Sequence, residues 1–224
     1  MSKLLNVSSS PHVRCGVSTK NLMYDVAIAM LPATIWGVMQ FGIYSLIVVV
    51  ATVLSCVLSE YLFETLMHKP VTISDGSALV TGMILGLNMP PAIPLWMPIL
   101  GGVFAIIVVK QLYGGLGQNW MNPALAARCF MLISFAQAMT KFTDPVTDAV
   151  ASATPLAAIK AGDTYDLAAM FIGKIPGTIG EVSVIALLIG AAYLLVKKVI
   201  TIRIPAAYIL SFAVFAFIFG QHNI

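Results

Sequence analysis

The sequence predicts an all-α fold: a polytopic helical membrane protein with a broken half-helix and a long extracytoplasmic loop. Three observations predict it. Hydrophobic residues make up 59% of the 224 and charged ones only 9%, against about a quarter charged in soluble domains, and the mean hydropathy is +0.96. The apolar residues fall in blocks long enough to cross a hydrocarbon layer of roughly 30 Å. Ten-residue segments of alternating polarity are absent from the sequence, so bundled helices rather than a barrel must satisfy the backbone in lipid.

Apolar runs cover about 22–40, 43–66, 77–88, 95–112, 122–139, 182–199 and 204–220. Six have the length to span and one does not. The short run, "SALVTGMILGLN", follows Ser74-Asp75-Gly76, a suitable helix cap, and precedes "MPPAIP", which cannot continue a helix. A half-helix with an extended leg is expected, and irregular backbone at membrane depth survives only where protein or a cavity covers it. Residues 1–21 read as a cytoplasmic N-terminal segment and 22–224 as a single helical membrane domain.

Lys3, Arg14 and Lys20 precede the first span and place the N-terminus in the cytoplasm. Counting onward puts His68-Lys69, Lys110, Lys197, Lys198 and Arg203 inside as well. Eight Lys or Arg then lie inside against three outside, Lys141, Lys160 and Lys174, with Arg128 within a span. The segment 141–180 becomes an extracytoplasmic loop of 40 residues without a convincing helix, a length that suggests function. After the basic N-terminal residues comes no continuous apolar h-region, so a cleaved signal peptide is not expected. The net charge of +3 has no basic cluster interleaved with aromatics, which argues against nucleic acid as a partner.

Other chemistry-bearing residues have bland readings available. Glu60, Glu64 and His68 share a helix face that could bind metal or relay protons, and they read more simply as a solvated helix terminus. Asp25 and Arg128 lie inside spans and each needs a partner or a wet cavity, so they are candidates to pair with one another. Cys15, Cys56 and Cys129 are far apart and read as buried structural thiols. Gly114, Gly115 and Gly117 allow turns and Asn122-Pro123 can cap the next helix, while glycine-rich backbone at a helix entrance can also receive anionic groups. No G-x-G-x-x-G follows a strand, so a Rossmann NAD site is not indicated. The aromatic run "FAVFAFIF" reads as lipid-facing or packing surface.

Four stretches resemble one family. "SSSPHVR" with "STKNLMYDVAIAMLPA" at 8–33, "SDGSALVTGMILGLNMPP" at 74–91, "GGLGQNWMNPALAARCF" at 114–130 and the loop "DAVASATPLAAIK" at 148–160 are similar to blocks of the RnfD family, membrane subunits of Rnf ion-translocating oxidoreductase complexes. The resemblance implies flavin mononucleotide (FMN) carried through a phosphoester bond on Thr154, within an attachment motif to which Asp148, Ser152 and Ala153 correspond. It also implies the other Rnf complex subunits as partners, electron transfer between ferredoxin and NAD coupled to Na+ or H+ translocation, and a location in the cytoplasmic membrane. A second, non-covalent flavin, riboflavin, is implied near the glycine-rich block. Family members are usually longer, with more spans after the flavin loop, whereas this chain stops at "FGQHNI".

The residues of the loop agree with that role. A phosphoester needs a reachable hydroxyl with small neighbours, which Ser152 and Ala153 provide, and Pro155 favours an extended Thr154. An unactivated threonine is a poor nucleophile, and the loop holds no His to act as its base. Attachment therefore requires a separate flavin transferase. The alternative from another class is a channel or secondary transporter without a redox cofactor, since broken helices also build substrate sites in transporters.

Overall fold

The computed structural model describes residues 18–143, 150–151 and 167–219. Helix α1, Thr19–Phe41, starts where the Ser18 hydroxyl accepts from Asn21 N, and it carries Pro32 in its interior. Gly42, at φ 82°, ends it and starts α2, Ile43–Leu66, so that one residue makes the hairpin. These two helices are long and apolar enough to cross a membrane; at 1.5 Å per residue each is about 35 Å long.

After α2 the chain turns through a short 3-10 segment, Ile73–Asp75, into α3, Ser77–Leu87. The half-helix expected from the sequence is present, capped as its preceding residues suggest: Asp75 Oδ1 accepts from Ser77 N at 2.7 Å and from Ser77 Oγ at 2.6 Å. Its close approach to α2 depends on Gly82, where an added Cβ would lie 2.6 Å from Val53 Cα. Beyond Leu87 the expected extended leg is instead a turn, closed by Ile93 N donating to Pro90 O at 3.3 Å. Two prolines in sequence favour such a turn over a strand-like leg.

The irregular backbone at the end of α3 is covered by protein. Gly180 N donates to Leu87 O at 2.8 Å and Ile179 N to Met89 O at 3.1 Å, so carbonyls that α3 leaves open are satisfied by a segment nearly a hundred residues away.

Helix α4, Trp96–Val103, continues into a π-helical stretch, Phe104–Gln111. Helix α5, Pro123–Ser134, begins with Pro at its first turn behind the Asn122 cap, and breaks at Phe135 before α6, Ala136–Met139; the sequence predicts one unbroken run there. Residues Phe142–Thr143 (β1) and Val150–Ala151 (β2) form a two-residue antiparallel ladder, Phe142 opposite Ala151. The loop read as lacking a convincing helix contains α7, Leu167–Ile172. Helices α8, Val184–Val196, and α9, Arg203–Phe219, follow.

The core gathers Val48, Val49, Leu85, Met89, Ala105, Ala127, Met131 and Ile179 from α2, α3 and its following turn, the π stretch, α5 and the segment before α8. Outward faces are apolar too: Met39 is 74% exposed, Ile133 84% and Val196 81%. Helix α9 buries none of its residues, so its aromatic run is surface rather than core. Apolar exposure on this scale exceeds what a water-soluble monomer tolerates and suits a hydrocarbon solvent.

Candidate functional site

The π-helical stretch delivers two consecutive side chains, Lys110 and Gln111, to the face of α2 that carries Glu60 and Glu64. Lys110 Nζ donates to Glu60 Oε1 and to Ser77 Oγ, both at 2.6 Å. Gln111 Nε2 donates to Glu60 Oε1 at 2.8 Å and to Glu64 Oε1 at 3.2 Å. Glu64 also accepts from Thr72 N at 2.9 Å and from the Thr72 hydroxyl. One hydrogen-bonded network therefore joins α2, the 72–76 turn, the start of α3 and the π stretch. Rare π segments often mark functional sites, because they turn side chains to faces that an α-helix would not reach.

Glu60, Glu64, Ser77, Lys110 and Gln111 are each exposed by no more than 3%. This corrects two expectations. The acidic face of α2 is no solvated terminus, since only His68 of the trio is exposed, and Lys110 is a buried ion-pair partner rather than a cytoplasmic surface charge. Burial of a charge is costly unless it is paired and hydrogen-bonded, as these are. Glu60 Oε2 lacks a partner among the described residues. The network was hard to see in sequence: Gln111 gives no signal, and the one clue to Lys110 is a lone cation ending the apolar run "GGVFAIIVVK".

Lys110 and Ser77 also line a cavity of about 470 Å³. Asn119, Trp120, Asn122 and Pro123 line it as well, with Met23, Ile84 and Leu116 among the apolar residues. The first turns of α3 and α5 both reach this cavity. Asn122 caps α5 by accepting from Ala124 N and Leu125 N, at 3.0 and 3.3 Å, so the structural role expected of Asn122-Pro123 is real and coexists with a place on the cavity wall. Helix N-termini carry a partial positive charge. Lys110 adds a cation whose counter-charge is Glu60.

A second cavity, of about 410 Å³, lies between α1, α3 and α8, with Ala29, Ala33 and Leu194 on its walls and Asn88, Thr178 and Glu181 as its polar residues. Thr178 is 2% exposed and its hydroxyl has no partner among the described residues.

The expected Asp25–Arg128 pair does not form. Asp25 Oδ1 instead accepts from Tyr193 Oη at 2.8 Å, with Lys197 Nζ at 3.8 Å, tying α1 to α8. Cys56 is buried as expected, whereas Cys129 is exposed on α5, and Cys15 lies outside the described residues. Groups of His, Cys, Asp and Glu able to hold a metal are absent among the described residues. The residues expected from the sequence to carry the flavin, Asp148, Ser152, Ala153 and Thr154, likewise lie outside the described residues.

Comparison with known proteins bears on the whole chain. It is 47% identical, over 98% of its length and 71% of the relative's, to a subunit of the Na(+)-translocating ferredoxin:NAD(+) oxidoreductase complex of Acetobacterium woodii. The corresponding protein of the proton-translocating complex from Clostridium ljungdahlii is 39% identical over 97% of this chain and 70% of its own. A subunit of the ion-translocating oxidoreductase complex of Methanosarcina acetivorans is 31% identical over 96% and 69%. With residues 6–224 matching the family's profile as well, the chain belongs to the NQR2, RnfD, RnfE family.

Proposed function

We propose that this chain is the flavin-bearing membrane subunit of an Rnf-type complex, relaying electrons between ferredoxin and NAD in step with Na+ or H+ movement, with FMN esterified to Thr154. The observation that carries the reading is the similarity over 98% of the chain to a ferredoxin:NAD(+) oxidoreductase subunit, taken together with the "DAVASAT" motif ending at Thr154. Ferredoxin and NAD would dock on partner subunits, and a flavin transferase would act on the loop. The chain is then one part of an oxidoreductase and is incomplete alone.

The described residues at the base of the loop support this reading. Lys141 lies immediately before β1 and lines a cavity of about 700 Å³ with Met97, Phe135 and Gln137. The ladder returns the chain to that place, because Ala151 lies opposite Phe142, and Thr154 follows Ala151 by three positions. When bound, a flavin supplies one- and two-electron exchange, and the protein supplies its position and electrostatic setting.

The cavity at Lys110 supports a second, non-covalent flavin, riboflavin. Its residues fit a flat amphipathic ring: Met23, Val80, Ile84 and Leu116 suit the apolar side, while Ser77, Lys110, Asn119 and Asn122 offer hydrogen-bonding groups. The N-terminal segment and the Lys69 turn are assigned to the cytoplasm and the 141–180 loop to the opposite side.

Denaturing gels test the covalent assignment. Protein made with its transferase should show a fluorescent flavin band that Thr154→Ala removes. A band that survives the substitution would move the attachment elsewhere.

A further inference from the structure

We propose that Lys110 is the cation against which a reduced, negatively charged flavin ring is held in the cavity formed by Ser77, Lys110, Asn119, Trp120 and Asn122. The inference rests on reading that cavity as the second flavin site.

Among the described residues, Lys110 is the only charged side chain on the cavity wall; the other lining residues are neutral. Glu60 stands behind the lysine and does not line the cavity. Of the three Nζ protons, one goes to Glu60 Oε1 and one to Ser77 Oγ, and the third has no acceptor among the described residues. Ser77 itself is a wall residue, so Nζ is held at the boundary of the cavity. Here a Lys is a fixed donor whose position is set from both sides.

Stability gives a weak account of this arrangement. A buried ion pair is commonly no better than apolar residues of the same volume, and an eight-residue π stretch is an unusual way to place one. Of the three nearby acids, Glu60 pairs with the lysine from behind, Asp75 binds Ser77 N and Oγ, and Glu64 binds Thr72 and Gln111. On the cavity side the field comes from the lysine, with Glu60 as its counter-charge behind it, and from the α5 N-terminus, whose Asn122 cap is neutral. An anion is favoured there.

An isoalloxazine that takes up two electrons and one proton carries one negative charge, and charge beside the ring tunes its electronics. Lys110 should therefore bind the reduced ring more tightly than the oxidised one. Removing the lysine must weaken reduced binding selectively, which lowers the midpoint potential by thermodynamic linkage.

The test uses the full chain in detergent carrying Thr154→Ala, so that only a dissociable flavin contributes to the spectrum. It is titrated above neutral pH, with dithionite as electron donor and water as proton source. Lys110→Met should lower the reduced-to-oxidised affinity ratio at least tenfold, about 30 mV for a two-electron couple, and Lys110→Arg should restore most of it. Because Lys110→Met leaves Glu60 without its counter-charge, the double variant Lys110→Met with Glu60→Gln provides the stable form, and a fall in the same direction but smaller than that of the single variant is expected. An unchanged potential in a flavin-bearing double variant overturns the role of Lys110. Release of no flavin on denaturing the Thr154→Ala protein overturns the second-flavin reading and the inference with it.

Discussion

Lys110 Nζ lies 2.6 Å from Glu60 Oε1, with side-chain exposures of 2% and 0%. Each charge is tolerated because the other is there. Neutralising one partner leaves the other buried and uncompensated, at a cost of about 3–5 kcal/mol, whereas replacing both with apolar residues of similar volume is near neutral or stabilising. Lys110→Met and Glu60→Met should thus each lower the melting temperature in detergent, and the double variant should recover most of the loss. Single variants as stable as the double would show that the pair is not coupled.

Helix α3 owes its depth against α2 to a missing side chain. An added Cβ at Gly82 would meet Val53 backbone at 2.6 Å, while at Gly101 in α4 the nearest atom would be the flexible Met131 Cγ at 3.4 Å. Gly82→Ala should therefore cost about 1–3 kcal/mol through overpacking. Gly101→Ala should be neutral, or stabilising by up to roughly 1 kcal/mol, since alanine is the better helix former. Chemical unfolding of the two variants side by side checks the contrast, and equal effects would mean that α2 yields.

The sequence made the helices legible because apolar run length and helix caps are local signals: the short run at 77–88 could be read as a half-helix, and α3 occupies 77–87. The polar network was not legible for the opposite reason. Lys110 and Glu60 are 50 residues apart, and Asp25 and Tyr193 are 168 apart. A lysine at the end of a span looks the same in sequence whether it enters water or turns back toward a buried acid, and only the π register decides between them. The break at Phe135 leaves no proline or glycine to announce it. The proposed flavin motif is legible only as a string of residue types, and Asp148, Ser152, Ala153 and Thr154 lie outside the described residues.

The hydroxyl of Thr178 is buried beside the α3 terminus without a partner among the described residues. A polar group left unpaired in such a place costs about 1–3 kcal/mol in proteins. Thr178→Val removes it while keeping the branched shape, so the variant should be as stable as the parent or more so in unfolding titrations. A clear loss of stability, or of ion transport in the assembled complex with folding intact, would reveal a partner for the hydroxyl, such as water or a transported cation in the cavity of Asn88 and Glu181.

Because Lys110 is buried in an ion pair, the proposed orientation rests on the other cations, and its inside count would be one lower than the sequence suggests. Lys69, Lys197, Lys198 and Arg203 would remain to hold the proposed cytoplasmic side. Alkaline phosphatase fused at Lys69 should be inactive, and fused within 141–180 it should be active, with Lys110→Met leaving both results unchanged. Replacing Lys197 and Lys198 together should instead weaken the orientation of α8, where both cations are exposed. An active fusion at Lys69 with an inactive one in the loop would invert the assignment and put the Thr154 hydroxyl on the cytoplasmic side, away from any transferase acting outside.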